Sequence, residues 1–142
     1  MERIDRILNN EIFKRCVRDI KTAERERVFC RHGMDHFLAV ARIACLIAYE
    51  ENIDEKKDVI YAAALLHDIG RASEYSDGTV HEEVSAELSG DILRDAGYTE
   101  KETARIAEAI IMHGDSEAGK RQDLAGILYR GDKFSRDCFM CN

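Results

Sequence analysis

Not one proline interrupts the 142 residues of this chain, and apolar side chains recur along most of it at spacings of three and four. A proline-free chain keeps every backbone N–H free for helical bonding, and the three-four spacing gives each segment one apolar face. No alternating run of useful strand length and no solenoid-period repeat competes with that pattern. The expected fold class is therefore all-α, a single compact helical bundle. At this size a chain buries roughly 68–70% of its unfolded surface, enough for one core.

In "DHFLAVARIACLIAYEEN", Phe37, Val40, Ala41, Ala44, Ile47 and Ala48 draw one stripe, with Asp35 as expected N-cap and Asn52 as stop. A second helix runs from about Asp54 through "KKDVIYAAALLHD" to Gly70, with Val59, Ala62, Ala63 and Leu66 inward. "HEEVSAELSGDILRDAGY" gives a third, with Val84, Leu88 and Leu93 inward and Gly97 ending it; "EKETARIAEAIIMHG" gives a fourth. A last helix covers "DLAGILYRGDKFSR" despite two glycines, each costing about 1 kcal/mol against alanine. One N-terminal helix over about residues 2–20 is expected to pack outside a core of about 30–136, leaving a short tail at 137–142. The polar stretches 70–80 and 114–122 read as loops suited to contacting a ligand.

Net charge is −7, which disfavours a nucleic-acid polymer or an anionic membrane as partner, so phosphate would need local positive charge. No apolar stretch approaches the ~18 residues of a membrane span, and "MERIDRILNN" lacks the apolar core of a secretion signal, so a cytoplasmic location is expected. Five scattered cysteines, Cys16, Cys30, Cys45, Cys138 and Cys141, read as reduced thiols, with Cys45 a small core residue. The CxxC spacing of Cys138 and Cys141 lacks a second pair to complete a metal site, and a frayed tail is expected there. Nothing in the pattern selects an oligomeric state.

The residues of metal-ligand type fall near helix ends: His36 opens its helix, His67 and Asp68 close theirs, His81 opens the next, His113 closes another and Asp132 lies late in the last. Consecutive helical residues diverge by about 100°, so His67 and Asp68 reach one ion only over a helix end, where Gly70 unwinds the chain.

This order of residues resembles the HD superfamily of metal-dependent phosphohydrolases, whose members are helical domains. The resemblance spans about residues 30–136: a leading His36, the His67–Asp68 pair and a trailing Asp132. "HDIGR" is similar to the family's HDIGK stretch, "GDKFSR" to the segment around its final aspartate, and "ERERVFCRH" to the approach to the first ligand in some small bacterial members. The resemblance implies His36, His67, Asp68 and Asp132 as ligands of one ion. His81 and His113 occupy places comparable to those of the second-metal histidines in two-metal members, a branch that includes cyclic-dinucleotide phosphodiesterases and diadenosine tetraphosphate hydrolases.

The chemistry of the set agrees. Neutral imidazoles with carboxylates suit divalent Fe, Mn, Ni, Co or Zn. Two such ions against two carboxylates leave about +2 in the site, enough to attract phosphate to an acidic chain. Ions roughly 3.5–4 Å apart share a water, lower its pKa and hold hydroxide for attack on phosphorus. The expected activity is hydrolysis of a phosphate ester or anhydride of a nucleotide or another small phosphorylated molecule, with Asp68, Arg71 and Lys133 as the catalytic candidates. Arg71 stands where the family often has lysine and would contact phosphate with a planar fork. Two other classes compete: a non-catalytic metal-containing nucleotide sensor and a structural metal domain. Among the remaining polar residues, His32 reads as a surface-loop histidine and Arg31 is ambiguous. Glu82 reads as a first-turn acid favoured by the helix dipole, and Asp115 and Glu117 as solvated loop acids.

Overall fold

The computed structural model describes residues 1–28 and 30–136. Within them lie α1 (Glu2–Asn9), α2 (Glu11–Ala23), α3 (Met34–Glu50), α4 (Lys57–Leu66), α5 (Arg71–Asp77), α6 (His81–Ala96), α7 (Glu100–Met112), a 3-10 turn at Ala118–Lys120, and α8 (Leu124–Phe134). No strand occurs among the described residues, and the all-α expectation holds. No helix is long and apolar enough to cross a membrane among these residues.

The helix at the centre is α4. Val59, Ile60 and all five residues from Ala62 to Leu66 are buried, so this helix is apolar nearly all round, the pattern of an element packed on every side. It lies against α1, α3, α6, α7 and α8. The side chains that follow its last turn therefore emerge inside the protein, which is how His67 and Asp68 come to be buried.

Local chemistry sets the helix ends. A capping box starts α7: Glu102 N donates to Thr99 Oγ1 at 3.1 Å and Thr99 N donates to Glu102 Oε2 at 2.9 Å. Asp123 caps α8 by accepting from Gly126 N at 3.2 Å. Gly97, at φ +95°, ends α6 in the left-handed conformation glycine tolerates best.

Several sequence expectations need correction. The single N-terminal helix is two, because Asn10 turns extended (ψ 131°) and caps α2 by accepting from Ile12 N and Phe13 N. Ile4, Ile7, Phe13, Cys16 and Ile20 of these helices belong to the main apolar cluster. Asp35 is not the cap of α3; that position is Gly33, without a side-chain bond, and Asp35 sits in the first turn. The supposed loop 70–80 contains α5, and the stretch 114–122 contains the 3-10 turn. Cys45 is only half-buried, as are Val84 and Leu88; the inner face of α6 is instead His81, Ser85, Ser89, Ile92 and Leu93. Among the described cysteines Cys16, Cys30 and Cys45 are free thiols. The expectation for Cys138 and Cys141 lies outside the described residues.

Candidate metal centre

Four helix ends and one helix interior meet at a single point. His36 comes from the first turn of α3, His67 and Asp68 from the turn that leaves α4, His81 from the first residue of α6, His113 from the end of α7 and Asp132 from α8. Two glycines permit the approach. A Cβ on Gly70 would lie 2.7 Å from Ser85 N and 2.9 Å from His81 O, so only a bare backbone lets the start of α6 settle against the turn. Gly70 N also donates to Ser85 Oγ at 2.9 Å. A Cβ on Gly131 would stand 3.0 Å from Ala44 Cβ and 3.1 Å from Val40 O, so the small residue brings α8 onto α3 and Asp132 to His36.

Asp68 is the hub. Its Oδ1 lies 3.2 Å from His81 Nε2 and 3.3 Å from His113 Nε2, and those two nitrogens stand 3.2 Å apart. Its Oδ2 lies 3.1 Å from His67 Nε2 and 3.7 Å from His36 Nε2. Asp132 Oδ1 closes the second half, 3.2 Å from His36 Nε2 and 3.7 Å from His67 Nε2. One carboxylate thus presents each oxygen to its own set of imidazoles.

The rings are held from behind. In the tautomer that these partners favour, the Nδ1–H groups of His67 and His113 donate to Ala64 O and Ile110 O, both at 2.6 Å, leaving each Nε2 lone pair inward. His81 Nδ1 lies 2.9 Å from Glu74 Oε2 and 3.3 Å from Glu82 Oε2, in charge contact but without hydrogen-bond geometry. Such outer partners fix the orientation of metal-ligating histidines.

The electrostatics ask for a cation. Burial works against a charged His67, yet Asp68 and Asp132 hold its pKa up at about 10. Burial also works against an ionised Asp68, but His67, His113 and His36 outweigh it and keep the carboxyl well below the usual range. Asp132 is depressed by His36 and His67 against the same opposition. His67 Nε2, Asp68 Oδ2 and Asp132 Oδ1 are buried and lack hydrogen-bond partners. Orphaned buried polar atoms are costly, and three of them aimed at one point fit a bound ion better than a finished hydrogen-bond network. Three overlapping donor sets could each hold an ion: His36 with His67 and Asp68; His67 with His113 and Asp132; Asp68 with His81 and His113.

All six residues expected as ligands therefore come together. Of the other catalytic candidates, Arg71 Nε lies 3.2 Å from Asp68 Oδ1 and its Nη1 lies 3.1 Å from Glu74 Oε2. Lys133 is at the rim, half-exposed, with Nζ 3.8 Å from Asp132 Oδ2.

Sequence reasoning missed four residues here. His32 is not a surface histidine: it is 3% exposed, with Nε2 3.9 Å from Asp68 Oδ2. Glu24 and Tyr75 hold its other side, and burial, only partly offset by Asp68 and Glu24, lowers its pKa to about 4. Glu74, which backs His81, lies on the unexpected helix α5; the available signal was the run from Arg71 to Asp77 stopped by Gly78, whose φ is +77°. Glu82 lies in the first turn of α6 as expected, but it also faces the His81 ring.

Comparison with known proteins identifies the family to which this fold belongs. The family model for the HD domain matches residues 33–137. The chain is 42% identical to an uncharacterised protein of Clostridium beijerinckii over 99% of its own length and 88% of the relative's. It is 33% identical to the Bacillus subtilis protein named "Putative phosphohydrolase YueE", covering 61% of this chain and 53% of that one. A crystal structure titled as a predicted HD superfamily hydrolase, from an uncultured Thermotogales bacterium, superposes with a TM-score of 0.64 at 27% identity, covering 84% of this chain and 66% of that one. With a family model spanning most of its length and the helical scaffold of an HD superfamily hydrolase, this chain belongs to the HD domain family.

Proposed function

We propose that the protein is a metal-dependent phosphohydrolase that uses two divalent ions to cleave a phosphate ester or anhydride of a nucleotide or another small phosphorylated molecule. The observation that carries this reading is the split use of Asp68, whose two oxygens face separate donor sets while buried ligand atoms beside them lack partners. His36, His67, Asp68 and Asp132 would hold one ion; His81 and His113, with Asp68 shared, would hold the other. The ions would lower the pKa of a water and neutralise charge on the phosphoryl oxygens.

The chain's own groups supply the rest. Beside His36 opens a cleft of about 620 Å³, within the range of small-ligand sites, lined by Lys21, Arg25 and Arg31, by Glu24 and Asp35, and by the apolar Val17 and Met34. Three cations against the two carboxylates leave a small positive excess for an anion in an acidic chain, and the apolar side chains suit a ring or other uncharged part of the same molecule. Arg71, next to the hub carboxylate, has a planar fork that would orient a phosphoryl oxygen. Lys133 would add a point charge from the rim.

Metal content per chain, measured with a panel of phosphomonoesters, phosphodiesters and nucleotide anhydrides on the same sample, tests the reading. Metal-dependent release of product that disappears in Asp68→Ala is expected. Ion binding without turnover of any substrate class would favour a sensor, and no bound ion would overturn the metal reading.

A further inference from the structure

The mechanism above leaves one buried imidazole unused. His32 lies in the segment between α2 and α3, outside the six residues already assigned. Three parts of the fold converge to fix its ring. Glu24, at the end of α2, takes the main-chain N–H of His32 on Oε1 at 2.6 Å and faces ring Nδ1 with Oε2. Tyr75, on α5, donates its hydroxyl to that same Oε2 at 2.7 Å. Glu24 is itself only 4% exposed.

This is how the assigned ligands are built. Like His67 and His113, His32 has its Nδ1 directed to an oxygen, and in that tautomer Nε2 presents a bare lone pair. That lone pair faces the cage: Nε2 is 3.9 Å from Asp68 Oδ2, beyond hydrogen-bond range. Two donors each about 2.1 Å from one ion can stand at most about 4.2 Å apart, so 3.9 Å is within reach of a shared ion. The His32 and His36 rings lie 5.6 Å apart, close to the 5.4 Å between His36 and His67. A structural histidine would need Glu24 alone; it would not need its free nitrogen aimed at the hub carboxylate.

We propose that His32 is a further ligand of the ion held by His36, His67, Asp68 and Asp132, positioned by the Glu24 carboxylate and the Tyr75 hydroxyl. The assignment rests on the metal reading above and adds a fifth protein donor, leaving less of that ion's coordination open to water or substrate. The carboxylate behind the imidazole raises its strength as a donor, as outer partners do for other metal-bound histidines.

The test is titration of the metal-stripped full chain with Co(II), following visible absorption and the melting temperature of the metal-free protein. His32→Ala should weaken Co(II) binding by at least about 10-fold and change the absorption bands, because a nitrogen leaves the ion. Glu24→Gln, which keeps the shape but loses the charge, should weaken binding by about 10-fold. Wild-type affinity and spectrum in His32→Ala, with a lower melting temperature alone, would make the residue structural and overturn the inference. Should that variant not fold, Glu24→Gln decides by the same readouts, and unchanged binding there overturns it. Failure of the wild-type chain to bind Co(II) would instead remove the metal reading itself, and this inference with it.

Discussion

The two ends of α4 carry two polar clusters, one half-buried and one buried, that solve opposite problems. At the N-terminal end, Arg3 donates to Asp58 Oδ2 and Glu102 Oε2, both at 2.7 Å, and its guanidinium lies 4.0 Å over the Tyr98 ring. Glu102 also takes Thr99 N at 2.9 Å and Lys56 Nζ at 3.3 Å, while the Tyr98 hydroxyl donates to Asp58 O at 2.8 Å. Every charge there meets an opposite charge from the same chain. At the C-terminal end, two depressed carboxylates and four imidazoles meet with four buried atoms lacking hydrogen-bond partners, His67 Nε2, Asp68 Oδ2, His81 Nδ1 and Asp132 Oδ1. The first cluster is complete and ties α1, α4 and α7 together. The second is left with unpartnered buried atoms in a donor set able to hold a cation, so what is left over distinguishes it from a closed structural cluster.

Replacing the hub should break this contrast most severely. Asp68→Ala removes the oxygen that faces each donor set, so affinity for both ions should fall by more than the roughly 10–100-fold that loss of an outer partner costs. Hydrolysis on the phosphate panel should drop to background. Calorimetric titration of the stripped variant beside the wild type measures the first, and product release the second. Binding of two ions by Asp68→Ala would show that the split geometry is not what holds them.

Metal removal should act on one end of α4 only. An ion present at a thousand times its dissociation constant stabilises the native state by about 4 kcal/mol, so chelation should lower the melting temperature by roughly 12 °C. The Arg3 cluster needs no ion. Arg3→Ala should therefore lower stability by about 1 kcal/mol in both the metal-loaded and the stripped protein, by leaving Asp58 without its cation and Glu102 with only the exposed Lys56. Its metal affinity should match the wild type. Denaturant melts with and without chelator distinguish these outcomes, and a metal-dependent effect of Arg3→Ala would join the two clusters into one.

How much of this contrast the sequence carries follows from the range of the interactions. The six cage residues are legible because their types and order resemble the HD pattern, and because helix ends flagged by Gly70 and Gly97 fix the local frame. The Arg3 cluster has no such signature: Arg3 and Glu102 lie 99 positions apart and meet only after α1 turns back at Asn10. Tyr75 and Glu24, 51 positions apart, are hidden for the same reason, since α5 has seven residues, none fully buried, and so no apolar stripe to announce it. Gly131 shows the reverse failing. In the sequence it is a cost to a helix; in the fold it is the contact that lets α8 touch α3.

The smallest effect expected is on acid stability, and it belongs to the closed cluster. Arg3, and then the Thr99 amide and Lys56, pull the Glu102 pKa from 4.5 to about 2 against the opposing effect of burial. A carboxyl with a depressed native pKa binds protons first in the unfolded chain, so its stabilisation is full above about 4.5 and fades as pH falls towards 2. Asp58 is lowered by Arg3 in the same direction. Removing the guanidinium returns both groups towards their ordinary values, so stability in Arg3→Ala should fall less steeply than in the wild type across that window. The comparison is best made on metal-stripped protein, because protonation of the cage residues otherwise releases ions over the same acid range. Parallel stability curves for the two proteins between pH 4.5 and 2 would mean that the N-terminal cluster is held by something other than its charges.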